Sequence, residues 1–283
     1  MAEASTESWT CPGCMTVLAS RFCPRCGEAP VPKRELTFRR VLDMAWNEMT
    51  SLDARTLRSI AKLLRHPGEL TLAWTHGLRK PFIAPFQLFL LMNVLFFATQ
   101  SLTGENVFSS TLDSHLHHQD WSELAQSLVA RHLAGAHTTL DAFTPLFDQA
   151  VVLNAKSLIL VMVLPFALLL PLAFLRERRP FVTHVTFGLH LYAFLLVVFS
   201  VALVAARLSA ALGWGGLDTP HVDTVLTLAN LAACATYIAV AIGPVYGTSG
   251  TARIVKALCL ALAVGAIVLA YRIALFLITL YTT

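Results

Sequence analysis

Four of the six cysteines in this 283-residue chain stand in two Cys-x-x-Cys turns, Cys11-Pro12-Gly13-Cys14 and, after eight residues, Cys23-Pro24-Arg25-Cys26-Gly27. Each such turn brings two thiolates within reach of one ion, and two turns complete the closed tetrahedral shell of a structural zinc site. The spacer is short for paired knuckles, so a compact ribbon is expected in place of a larger finger. Gly27 supplies free backbone behind the second knuckle, whereas Met15 occupies the matching place in the first. With Cys11, Cys14, Cys23 and Cys26 all ligating, one structural Zn2+ is expected and no position stays open for catalysis. A disulfide staple or a redox pair is the competing reading; a cytosolic location opposes the first, and a second pair is superfluous for the other. About 30 residues bury too little apolar surface to fold alone, so the metal would contribute most of the local folding free energy.

Other candidate ligands are looser. His115, His117 and His118 neighbour Asp113 and Asp120, with His132 and His137 further on. Imidazole and carboxylate suit zinc, copper or nickel, but the spacing does not set two ligands on one helical turn, and a solvated polar loop explains the composition equally. The polar residues Asn154, Lys156, His184, His190, Arg207, Asn230 and Arg272 fall in apolar stretches. Polar groups in lipid are costly and therefore functional candidates, although Lys and Arg near span ends reach water by snorkelling. Asn154, Lys156, His190, Asn230 and Arg272 form the candidate polar path. Phosphate-cradling glycine loops, nucleophile elbows and His-Glu-x-x-His are missing from the sequence, so it carries no enzyme signature.

The elements that must hold these residues are read from composition. The chain is 56% hydrophobic and 13% charged, against about 25% charged in soluble domains, with a mean hydropathy of +0.64. The apolar residues gather in blocks, which points to lipid as solvent. Five windows reach the roughly 20 residues of a spanning helix: about 82–101, 153–175, 184–208, 222–244 and 255–280. Residues 1–10 lack the basic start and apolar core of a signal peptide, so insertion is expected to follow from the first span. Cys234 and Cys259 read as small buried hydrophobes.

Lys and Arg counts set orientation. Residues 1–81 carry twelve, 102–152 only Arg131, 176–183 three, 209–221 none, and 245–256 Arg253 and Lys256. The alternation places the N-terminus, the Arg-rich turn and Gly247-Thr248-Ser249-Gly250 in the cytosol, with 102–152, 209–221 and the C-terminus outside. The basic residues lie beside hydrophobic spans, so the net charge of +4 indicates a membrane surface and no specific nucleic acid.

Residues 36–66 read as amphipathic helix, with Asp53 as N-cap and Leu52 and Leu57 as a hydrophobic staple. Leu57, Ile60, Ala61 and Leu64 share one face, opposite Arg55, Arg58, Lys62 and Arg65, until His66-Pro67-Gly68 stops the helix. This suits the headgroup layer of an anionic leaflet, and packing on the cytosolic side of a bundle suits it equally. In the external segment, Trp121, Leu124, Ala125, Leu128 and Val129 keep helical spacing, as do Leu140, Phe143 and Phe147. Pro165, Pro171 and Gly243-Pro244 are compatible with kinks.

Residues 11–97 resemble a widespread bacterial membrane family known only as a domain of unknown function. The resemblance runs through the Cys-x-x-Cys…Phe22-Cys23-x-x-Cys26-Gly27 ribbon, then Asp53 and Thr56, Pro67-Gly68, Gly77-x-Arg79-Lys80, and Pro85-Phe86 opening the first span. Ile83-Ala84 replaces the aromatic and Asn usual before that proline. The resemblance implies a membrane protein with a ribbon and no established activity.

The expectation is an all-α integral membrane protein of about five transmembrane helices with a small N-terminal zinc ribbon. Residues 1–32 form the ribbon, 33–81 cytosolic amphipathic helices and 82–283 the membrane domain, in the inner membrane with the N-terminus cytosolic. As a function this indicates a non-enzymatic binding, scaffold or sensing module that recruits a cytosolic protein or anionic lipid. A transporter or channel along the polar path is one alternative, and a metalloenzyme using the external histidines another.

Overall fold

The computed structural model describes residues 9–10, 16–18, 23–25, 54–104, 108–119, 121–217 and 219–283. The chain divides into two compact units, Met1–Ser51 and Leu52–Thr283. In the first, β1 (Trp9–Thr10) pairs antiparallel with β2 (Val17–Leu18), with Trp9 opposite Leu18 and Thr10 opposite Val17. Cys23 is buried, and a turn follows at Pro24 and Arg25. Cys11, Cys14 and Cys26 lie outside the described residues, as do Asp53 and Leu52.

The second unit is helical: α1 (54–65), α2 (Glu69–Thr75), α3 (Pro85–Thr103), α4 (Leu112–His117), α5 (Ser122–Ala136), α6 (Leu140–Leu158), α7 (Val163–Ala173), α8 (Phe181–Ala211), α9 (Pro220–Tyr246) and α10 (Gly250–Thr282). Helices α3, α8, α9 and α10 are long and apolar enough to cross a membrane, and the bent pair α6–α7 makes up to five. Helices α3, α8, α9 and α10 coincide with four of the five apolar windows, and the α6–α7 pair covers the window at 153–175 but begins at Leu140.

The second window is where the backbone departs from a straight span. Helix α6 runs unbroken from Leu140, inside the segment expected to be external, through Leu158, a 3-10 turn follows at Ile159–Met162, and α7 leaves at 50°. Pro165 gives the physical cause. It offers no N–H to the carbonyl of Val161, and its ring crowds that carbonyl, so the α-helical ladder cannot run through the turn. The bent stretch still runs the length of α10. Tyr271 Oη donates to the Ala155 carbonyl (3.0 Å) near one end, and Lys256 Nζ sits 4.5 Å from the Phe174 ring centroid at the other.

The first half of α8 is buried on nearly all sides, from Thr183 through Leu196 with Val185 and Phe194 only partly covered, as expected of a helix that is apolar all round and central. Gly188 admits α7 closely: a Cβ there would stand 3.3 Å from Val163 Cγ1. Phe108, after α3, closes the far end of the bundle, edge-on to Phe96, Phe199 and Tyr271 with centroids 5.4, 5.6 and 5.8 Å away.

Near its end α9 contains Pro244, which cannot donate to the Val240 carbonyl. Arg253, at the start of α10, replaces that donor: Nη2 donates to the Val240 carbonyl (3.1 Å) and Nε to the Ala239 carbonyl. Gly243 makes room for it, since a Cβ there would lie 3.1 Å from Arg253 Cζ. A kinking dipeptide and an arginine ten residues on are thus one device, which keeps α9 helical through Tyr246.

Arg253→Ala is expected to destabilise the detergent-solubilised chain by on the order of 1–2 kcal/mol, read as a lowered thermal midpoint. Pro244→Ala restores an N–H for Val240, so it should recover most of that loss in the double variant. Additive effects of the two substitutions would contradict the pairing.

Candidate functional site

Helix α1 shows how a sequence face and a packed face diverge. The apolar face Leu57, Ile60, Ala61 and Leu64 is split: Ile60 packs against the core, while Leu57 is 67% and Leu64 42% exposed, and the fully buried positions are Ser59 and Leu63. Hydrogen bonding decides the rotation. Ser59 Oγ accepts from Ile83 N–H (3.0 Å), and Arg55 Nη2 donates to the Phe82 carbonyl (2.8 Å), so positions 55 and 59 lie against the chain entering α3, and Leu63, one turn on, is buried. Lys62 pairs with Glu69 and holds that carboxyl below its ordinary range. Of the four basic residues, Arg55 and Lys62 are therefore engaged, and Arg58 and Arg65 are exposed. The outward face carries Leu57, Ala61 and Leu64 beside Arg58 and Arg65.

Helix α2 falls in the 33–81 segment expected to be helical, but the sequence reading gives it no bounds of its own. Its N-cap, Gly68, has φ 86° and touches α9 backbone so closely that a Cβ would meet the Ala241 carbonyl oxygen at 2.5 Å. Any other residue is excluded twice over, by φ and by space. One turn on, buried Thr71 Oγ1 shares a 2.8 Å hydrogen bond with His190 Nδ1 of α8. Downstream, the Gln87 side chain accepts from Ala84 N–H (3.2 Å), and Pro85 opens α3 where an N–H is dispensable.

The five residues of the expected polar path do not converge. His190 is paired with Thr71. Asn154 Nδ2 donates to Thr279 Oγ1 (3.1 Å), and Lys156 is exposed, 6.0 Å from the Phe97 ring centroid. Only Asn230 and Arg272 share a space, a cavity of about 520 Å3 between α8, α9 and α10. Its polar lining is Asp223, Thr227, Asn230 and Arg272, and the rest is apolar apart from Cys234. His184 Nδ1 pairs with Tyr246 Oη (2.8 Å). Cys234 is buried as expected, but Cys259 is exposed.

At the end of the bundle away from α2, the histidines separate. His115 is 3% exposed and packs on Phe276, centroid 4.8 Å away, with Trp121 and Phe147 at 6.0 and 6.1 Å. Burial and the nearby Arg272 guanidinium push its pKa down to about 4. His117 Nδ1 lies 3.0 Å from Asp113 Oδ1 at the surface, and His132 packs against Phe143 and Tyr281. Among the described residues no group of three or more His, Cys, Asp and Glu is placed to hold a metal. Arg272 Nη2 donates to Gln119 Oε1 (2.7 Å) and its guanidinium lies 5.5 Å from the Trp121 ring centroid. Of the expected external stripes, Ala125, Val129, Phe143 and Phe147 join the core, while Leu124 and Leu140 stay exposed.

A family model described as a protein of unknown function (DUF3667) matches residues 53–97. That segment spans α1, α2 and most of α3, with the Gly68 approach and Thr71 inside it. Neither the curated proteins nor the solved structures include a match to the chain.

Two outcomes are expected. Thr71→Val keeps the shape but leaves His190 Nδ1 buried without its partner, at a cost of about 1–3 kcal/mol, whereas Thr71→Val with His190→Phe should be nearly neutral. For His115, the unfolded chain takes up a proton near pH 6.5 and the folded chain only near 4, so the unfolded state binds more protons between them. Stability should be full above pH 6.5 and fall through pH 4, by about 3 kcal/mol in all. Denaturation midpoints across that range should flatten in His115→Phe; an unchanged slope would remove His115 as the cause.

Proposed function

We propose that this protein is a membrane-anchored binding module, in which a zinc-clasped ribbon and the outward face of α1 recruit a cytosolic protein or an anionic lipid surface. The observation that carries this reading is α1 itself. One side is locked to the chain entering α3 through Arg55 and Ser59, with Leu63 buried beside them. The other side offers leucines beside Arg58 and Arg65, the arrangement of a helix lying in a headgroup layer, where each basic residue is worth about 1 kcal/mol. The ribbon rests on the spacing of Cys11, Cys14, Cys23 and Cys26, on the burial of Cys23 and on the β1–β2 pairing. A closed four-thiolate site has no open coordination position, so its role is to hold a recognition surface. Binding is favoured over transport because His190, Asn154 and Arg272 are each engaged in side-chain hydrogen bonds. Inner-membrane placement with a cytosolic N-terminus completes the reading.

The test is the full chain in nanodiscs of neutral lipid or of neutral lipid with added anionic lipid, with hydrogen exchange measured over residues 54–65 and zinc assayed per chain. Anionic lipid should slow exchange in that helix at least several-fold, less so in Arg58→Gln/Arg65→Gln, and one zinc should be present and lost in Cys23→Ser. Exchange indifferent to lipid charge in the native chain, together with a metal-free protein, would overturn the reading.

A further inference from the structure

The cavity between α8, α9 and α10 is graded in polarity along its length. Asp223 lies in the first turn of α9 and Arg272 well along α10, so both belong to the end of this hairpin away from the 247–249 connection. Thr227 and Asn230 follow about one and two turns deeper on α9, and beyond them the lining is Leu231, Cys234, Ala261 and Leu262. From position 223 to 234 the axis advances about 16 Å, close to half of a hydrocarbon core of about 30 Å. The cavity is charged at one end and apolar at the other over about half the length of a spanning helix.

The space exists because α10 presents little there. Gly265 lines the cavity, and a Cβ at that position would meet nothing within 4 Å. At about 520 Å3 the volume falls among sites that enclose a small ligand, about 300–1,000 Å3. The mouth is lined by the Asp223 carboxylate and by the Arg272 guanidinium, which gives one of its five N–H donors to Gln119 Oε1 (2.7 Å); the two charges together are complementary to a headgroup that carries an ammonium and a phosphate.

From these observations we infer that the α8–α9–α10 groove binds a zwitterionic aminophospholipid, with an acyl chain along Leu226, Leu231, Cys234 and Gly265, the ammonium at Asp223 and the phosphate at Arg272. The inference goes beyond the binding-module reading and uses a different part of the molecule. A lipid seated there would fill the gap and hold α9 to α10.

The full chain in phosphatidylcholine vesicles, with trace phosphatidylethanolamine carrying a photoactivatable group on its acyl chain, tests this by peptide mapping of the labelled protein. Labels should concentrate on 226–234 and 262–269. Gly265→Leu, which fills the groove, should cut labelling there at least fivefold while labelling of α3 at Val94 and Leu95 is unchanged. Excess phosphatidylethanolamine should compete better than phosphatidylglycerol, and Asp223→Lys, at an exposed first-turn position, should reverse that order without depending on repacking. Equal labelling of groove and α3, undiminished labelling in Gly265→Leu, equal competition by the two lipids, or a groove covered by a second copy in a cross-linked dimer would each overturn the inference.

Discussion

The contact of Gly68 with the α9 backbone, followed one turn later by Thr71 on His190, is the interaction from which the arrangement of this bundle follows. A histidine in the buried half of an apolar helix must find a partner, because a polar group withdrawn from water and left unpaired costs more than most packing contacts return. Thr71 meets that demand from α2, a helix too short to be stable by itself. Gly68 lets α2 come close enough to do so. Once α2 is seated between α8 and α9, the start of α3 is set, and with it the long α3–α8 packing.

The same rule repeats elsewhere. Arg253 answers the carbonyl that Pro244 leaves without a donor, Tyr246 answers His184, and Tyr271 and Thr279 hold α6 to α10. Polar residues that look like a pathway when read along the chain thus act mainly as joints. In a medium that offers no hydrogen bonds, pairing such groups internally is the available solution.

Part of this was legible in the sequence. Blocks of Leu, Val, Ala and Phe marked α3, α8, α9 and α10, since apolar length alone decides what can reside in lipid, whereas the start of α6 at Leu140 lies thirteen residues before its window. The phase of α1 was not legible: the hydrophobic stripe pointed to Leu57 and Leu64, and the buried line turned out to pass through Ser59, whose value lies in a hydrogen bond to residue 83. Helix α2 left no periodic trace, because seven residues make barely two turns. The partners Thr71–His190 and Arg272–Gln119 are separated by 119 and 153 positions, and spacing rules reach only one or two turns. Asn230 and Arg272 stood out as polar residues in apolar stretches, but that they face one groove depends on how α9 pairs with α10. Of the two Cys-x-x-Cys pairs, only Cys23 lies among the described residues, buried after the β1–β2 pairing.

The central claim is that these helices form one bundle crossing a bilayer an odd number of times, with the N-terminus and the 247–249 connection on the same side. Topology reporters placed at residue 1, within 247–249 and after residue 283 of the full chain test it directly. The account predicts cytosolic readouts for the first two and an external one for the third. Matching readouts at residues 1 and 283 would contradict it.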